Sequence, residues 1–180
     1  MPFTLSSRPE ADEHSPYFGR YITLVSESDI VSVLQRQIKE TLPLLAVLTE
    51  TQAAFRYAAD KWSIKQVVGH LIDVERIMAY RALHIARNDQ IALPGFEQDD
   101  YMRFAPFDHC AFPDLLTEFE HVRTANVHMF RNLDAEAWSR RGKVNDNETS
   151  VRALAYIIAG HELHHRKIVR EKYFHALNRV

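Results

Sequence analysis

Apolar residues recur at helical spacing in four stretches of this chain, and no stretch shows the two-residue alternation of a strand. The first stretch starts near Ser28-Asp29 and runs through Ile30, Val31, Leu34, Ile38, Leu42 and Leu45. Pro43 lies inside it and is expected to kink the helix or split off its last turn. The second opens on Ser63 followed three residues later by Gln66, an S-x-x-Q capping box. Ile64, Val67, Leu71, Val74 and Met78 carry it on to about Arg87, with His70 on the shoulder of the stripe. The third opens with Pro113 in its first turn, where a missing N–H costs little. Leu115, Phe119, Val122, Asn126, Met129 and Leu133 trace one face; His121 and His128 fall opposite and read as surface. The fourth opens at Thr149 or Ser150, and its stripe is Leu154, Ile157/Ile158, His161, His165 and Ile168. Four amphipathic helices without a strand predict an all-α fold, a four-helix bundle.

Between these helices the pattern breaks down. Residues 1 to about 27 lack periodicity, carry Pro2, Pro9 and Pro16, and read as an irregular lead-in to a single domain over residues 28–180. Residues 88–112 form a connection longer than two adjacent antiparallel helices need. Phe96, Tyr101, Phe104 and Phe107 within it predict a loop that packs down on the bundle. A second connection follows Trp138 and ends in "GKVNDNE".

Composition narrows the function classes. The 180 residues are 46% hydrophobic, enough for one real core and short for two. Net charge is −2 and no Lys/Arg run appears, which argues against a nucleic-acid partner. The single cysteine, Cys110, excludes an internal disulfide framework, and its loop setting reads as incidental. No secretory signal and no apolar run of membrane-spanning length is visible, so a soluble, cytoplasmic protein without a membrane partner is expected. Histidine is the unusual count, at ten.

Two of those histidines stand where the fourth stripe demands core residues. They belong to "HELHH", His161 to His165, which fits the H-E-x-x-H zinc-protease signature as well as a plainer H-x-x-x-H. The two are one turn apart on one face, a spacing suited to a shared metal. The extended protease pattern needs a glycine three residues after the second histidine; here that position is Ile168. Glu171, in the register of the third protease ligand, would lie roughly 9 Å further along the helix axis and on another side. The third ligand should therefore come from upstream, and His70 is the inward-leaning histidine well inside another helix. From pattern alone two readings stand: one ion shared by His70, His161 and His165, or buried imidazoles satisfied by hydrogen bonds.

At these residues the chain resembles the DinB-like superfamily, which includes YfiT-type metalloenzymes and thiol S-transferases that use bacillithiol. The resemblance rests on "KWSIKQVVGHLIDVE", residues 61–75, and "GHELHHRKIV", residues 160–169, and the "LPGFEQDDY" loop also looks like a family stretch. Trp62, Ser63, His70 and Asp73 match the family's Trp-Ser helix start and its histidine with an acidic residue three positions on. His161 and His165 match its late H-x-x-x-H, a motif that gives Glu162 no part. The resemblance implies helices running up-down-down-up, with the long crossover between the second and third, a divalent metal on three histidines, and a homodimer.

Three neutral imidazoles on a dication leave coordination positions open, as in a catalytic site. Zn and Ni come first among the metals that imidazole suits. The leading expectation is a metal-dependent transferase that conjugates a low-molecular-weight thiol, as co-substrate, to a small electrophile. A metal-dependent hydrolase and a non-catalytic metal-binding stress-response protein are the alternatives. Asp73 is a candidate to orient a ligand or a bound water from beside the metal, the alternative being a solvated surface carboxylate. Glu97, Asp99, Asp100 and Tyr101 in the crossover are candidates to line the opening to a small-molecule substrate site, the alternative being an ordinary polar loop.

Overall fold

Each of the four long helices begins where a side chain answers its free N–H groups. In the computed structural model, which describes residues 8–177, Asp29 caps α1 (Ile30–Ala46) by accepting from the Ser32 amide. Ser63 and Gln66 form the reciprocal box expected at the start of α2 (Ile64–Ala86). The N-cap residue of α3 (Phe112–Arg131) is Ala111, which offers no side-chain oxygen; Glu50 from the α1–α2 connection accepts from the Phe112 amide instead, at 2.7 Å. Ser150 caps α4 (Val151–Ile168) through the Ala153 amide. A π-helical turn, Val169–Phe174, carries α4 onward.

The contacts between helices fix their directions. Gln37 reaches the Ala159 carbonyl and Thr41 the Glu162 carboxylate, so α1 and α4 run parallel. Lys65 meets the Cys110 carbonyl just ahead of α3, and Glu75 meets Arg123, so α2 and α3 also run parallel. The Glu50–Phe112 bond joins the end of α1 to the start of α3, and Tyr173 donates to the Trp62 carbonyl across α4 and α2. Those two pairs are antiparallel. The order around the bundle is α1, α3, α2, α4, and the topology is up-down-down-up. Because α2 and α3 are parallel, the chain must return about 35 Å, the length of α2, before α3 can start. That return is the physical reason for the long 88–112 segment.

Several details depart from the sequence pattern. Residues 141–150 form a β-hairpin, β1 (Arg141–Val144) against β2 (Asn147–Ser150), closed by Asn145 and Asp146, both at positive φ. Two-residue hairpin loops require that left-handed backbone, which Asn and Asp tolerate. Its strands carry almost no apolar residues, so no alternation marks them. Leu93 of the crossover pairs with this hairpin through Lys143 and Asn145. The crossover contains a helical stretch, Gln98–Phe104. Phe107 is buried and Phe96 half-buried, but Tyr101 and Phe104 face solvent. Pro43 does not split α1, because it falls in the last turn, where it and Lys39, whose carbonyl loses its partner, are exposed. No helix of the described residues is long and apolar enough to cross a membrane.

A polar layer cuts the core in two. One apolar cluster packs Leu34, Met78, Phe130, Trp138 and Ile157; the other packs Ile38, Leu71, Phe119, Phe112 and Tyr173. Between them lies Arg123, fully buried, where the expected stripe on α3 names its neighbour Val122. Its guanidinium donates to Glu75 and to the Leu34 carbonyl and pairs with Glu162 at 2.7 Å. Asn126 donates to the other Glu75 oxygen. Burial works against the Arg123 charge, but the two carboxylates outweigh it and hold its pKa above the ordinary value. All four helices contribute to this layer.

The described part of the lead-in is built into the bundle through short helical turns at Ala11–Glu13, Pro16–Phe18 and Gly19–Ile22. Glu13 is buried against Ser150 and Arg152 at the start of α4. Burial pushes the Glu13 carboxyl up, but hydrogen bonds from Arg152, Ser150 and the Glu10 amide bring it down to about 2. A carboxyl depressed in the folded state contributes stability that is complete above its ordinary value of 4.5 and is lost as pH falls toward 2. Glu13→Gln is therefore expected to melt earlier than the parent at pH 7. The gap should close progressively below pH 4.5, as read by circular-dichroism melts across that range. A gap independent of pH would contradict this account.

Candidate metal centre

His70 stands in the second turn of α2, and His161 and His165 stand one turn apart near the end of α4. The two helices run antiparallel in direct contact, and the three rings meet. The Nε2 of His161 lies 3.1 Å from that of His70 and 3.1 Å from that of His165. His70 and His161 are buried and His165 partly so. Gly160 makes this possible from below: a Cβ there would sit 2.0 Å from the Tyr21 carbonyl, so glycine lets the lead-in lie directly on α4. Tyr21 then presents its ring edge-on to His161 at 5.2 Å. Trp62 closes the other side, 4.8 Å from the His70 ring and stacked on His165 at 6.5 Å. Gly69 does the same service for the crossover, since a Cβ would collide with the Phe107 ring.

Burial pushes the His70 imidazole down to about 4. Burial, and then the neighbouring histidines, hold His161 and His165 well below the ordinary value. All three rings are neutral at pH 7, the state in which imidazole ligates a metal. Three neutral rings aimed at one point are poorly served by hydrogen bonds alone. His161 Nε2 has one proton to give or one lone pair to accept with, so it makes one good hydrogen bond and leaves the second neighbour poorly served. Two nitrogens about 2.0–2.1 Å from one cation lie about 2.9 Å apart at a right angle and about 3.35 Å apart at the tetrahedral angle. The observed 3.1 Å falls between those limits, so the donor set fits a single divalent ion.

Glu162 does not face this cluster. It is fully buried and turned to Thr41 and Arg123, which leaves the H-E-x-x-H match without its base. A cavity of about 390 Å³ opens over His70 and His161. Phe18, Val74, Met78, Phe96 and Ile157 give it apolar walls, and the hairpin contributes Asn145 and Asn147. Glu97 and Asp99 line the same cavity from its exposed side. Asp100 and Tyr101 do not; with Asp73, Phe104 and Phe107 they line a separate open groove. Asp73 is half-buried there and burial raises its pKa, and none of its hydrogen bonds among the described residues reaches His70. His164 is partly exposed beside Tyr21, and His121 and His128 lie on the surface.

Sequence reasoning passed over Tyr21 and Arg81. Tyr21 sits in the lead-in, where no periodicity points inward. Arg81 could have been found: eleven residues from His70, it returns to within about 20° of the same helix face.

The sequence profile of the DinB superfamily matches residues 34–169, which hold all three histidines. The chain belongs to the DinB superfamily. No curated protein matches it. Among solved structures, this DinB-superfamily chain is similar to YfiT from Bacillus subtilis, with a TM-score of 0.67 and 15% identity, covering 92% of this chain and 93% of YfiT. YfiT is described as a probable metal-dependent hydrolase with an unusual four-helix bundle topology. The chain is also similar to the mycothiol-dependent maleylpyruvate isomerase, with a TM-score of 0.65 and 7% identity. That match covers 81% of this chain and 61% of the isomerase. At these identities the likenesses establish the fold alone.

Proposed function

We propose that this chain is a metal-dependent enzyme acting on a small molecule, with His70, His161 and His165 holding a divalent cation at the floor of the 390 Å³ cavity. The observation that carries the reading is the convergence of three neutral Nε2 atoms beneath a cavity of ligand size. A bound dication there would supply Lewis acidity and lower the pKa of a coordinated thiol or water. The reaction class we favour is transfer of a low-molecular-weight thiol to an electrophile. The immediate neighbours of the three rings are aromatic, Tyr21 and Trp62, and the ligand cluster contains no carboxylate among the described residues. A thiol with an ordinary pKa near about 8.5 gives up its proton without a base far more readily than water at about 15.7. Tyr21 and Trp62 pack against the histidine rings from two sides and restrict their orientation.

Hydrolysis is the second reading, favoured by the likeness to YfiT and by Glu97 and Asp99, which could take a proton from water. The test uses tag-free protein, loaded with Zn or Ni or stripped of metal. Conjugation of monochlorobimane to bacillithiol, mycothiol, glutathione or cysteine that requires both thiol and metal is the expected result. Metal-dependent ester cleavage without thiol selects the hydrolase. Tight metal binding with neither activity leaves a non-catalytic metal-binding protein and overturns the proposal.

A further inference from the structure

The fold buries two arginines in opposite ways. Arg123 is surrounded by two carboxylates. Arg81 is 5% exposed, yet no carboxylate among the described residues pairs with it. Its guanidinium donates to the Pro94 carbonyl at 2.7 Å, touches the Met78 sulfur at 3.6 Å, and lies 5.6 Å from the Phe96 ring centre. Burial pulls its pKa down, as for a cation short of opposite charge. A buried charge without a partner is costly, and a fold that retains one needs a reason.

The reason lies in where Arg81 sits. It lines the same cavity as His70 and His161, on the same face of α2 as His70 and three turns further on. Arginine side chains on a helix tilt back toward its N-terminus, here toward His70. Val74, Met78 and Ile157 form the apolar stretch between the two ends. Glu97 and Asp99 also line the cavity, but both are exposed and solvated, so their charge is screened while that of Arg81 is not.

We infer that Arg81 is the anion-binding residue of this cavity, and that the substrate is an organic carboxylate whose anionic end docks on Arg81 while its other end reaches the three histidines. The inference rests on the reading of the cavity as the substrate site. The guanidinium has donors left over after Pro94, in the planar arrangement that matches a carboxylate.

The test compares benzoate with benzamide, its uncharged isostere, by titration calorimetry on the full chain, both zinc-loaded and metal-stripped. Benzoate is expected to bind the stripped protein at least about tenfold more tightly than benzamide. Arg81→Gln, which keeps a donor for the Pro94 carbonyl, should bring the ratio to about one. Arg81→Lys should retain part of the preference. Circular-dichroism melts of each variant establish that it is folded. A benzoate preference that survives Arg81→Gln, or that appears only with zinc present, would mean the metal takes the anion and would overturn the inference. Zinc binding by the parent is measured in the same samples, so failure of the metal site and failure of the anion site are read separately.

Discussion

His161→Ala, purified without a histidine tag, is expected to emerge without stoichiometric metal and with its fold intact. Of the three rings, that of His161 is central: its Nε2 is within 3.1 Å of both others. Losing a group that merely orients a ligand costs about 10–100-fold in metal affinity, so losing the shared ligand should cost more than about a hundredfold. The apolar clusters above and below the polar layer do not depend on this imidazole, and the space it vacates adjoins the 390 Å³ cavity. Elemental analysis gives the metal content and a melt in chelator gives the fold. His164→Ala is the matched control: its ring also packs against Tyr21, outside the three-histidine cluster, and its metal content should stay at the parent level. Full metal retention in His161→Ala would remove the basis of the proposed chemistry.

The second large effect concerns stability. Arg123→Ala should destabilise the fold by about 3–5 kcal/mol, because it strands Glu75 and Glu162 in a dry interior. The loss exceeds that expected from packing alone, since the Leu34 carbonyl and Asn126 were also arranged around the same ion network. Adding Glu75→Gln and Glu162→Gln to Arg123→Met, which removes the charges together, should recover much of the loss. Urea titrations of the single and triple variants decide the point. A single variant within about 1 kcal/mol of the parent would show that the layer is not under electrostatic strain when broken.

The parts of this molecule that could be read in advance are those whose cause is local. Ser63 with Gln66, and Ser150 ahead of the α4 stripe, mark helix starts because capping acts over three residues. His161 and His165 stood out because polar rings occupied positions of an apolar stripe. Arg123 did not, because a charged residue beside Val122 reads as the solvent edge of α3 until partners 48 residues upstream and on another helix supply its reason to be buried. The hairpin escaped because its strands are four residues each and Val144 is their one apolar residue in the core, too little for an alternation to register. Asp73 shows the opposite failure: angular position on α2 gave its side of the helix, while only the path of the crossover decides which opening it borders.

The circular order α1, α3, α2, α4 has a kinetic consequence. Neither α1 with α2 nor α3 with α4 can zip together as a helical hairpin, since each such pair sits diagonally. The antiparallel neighbours that do touch, α1 with α3 and α2 with α4, are separated by an entire intervening helix. Closing those distant loops comes before any burial rewards it, so this bundle should reach its native state more slowly than an up-and-down bundle of equal size.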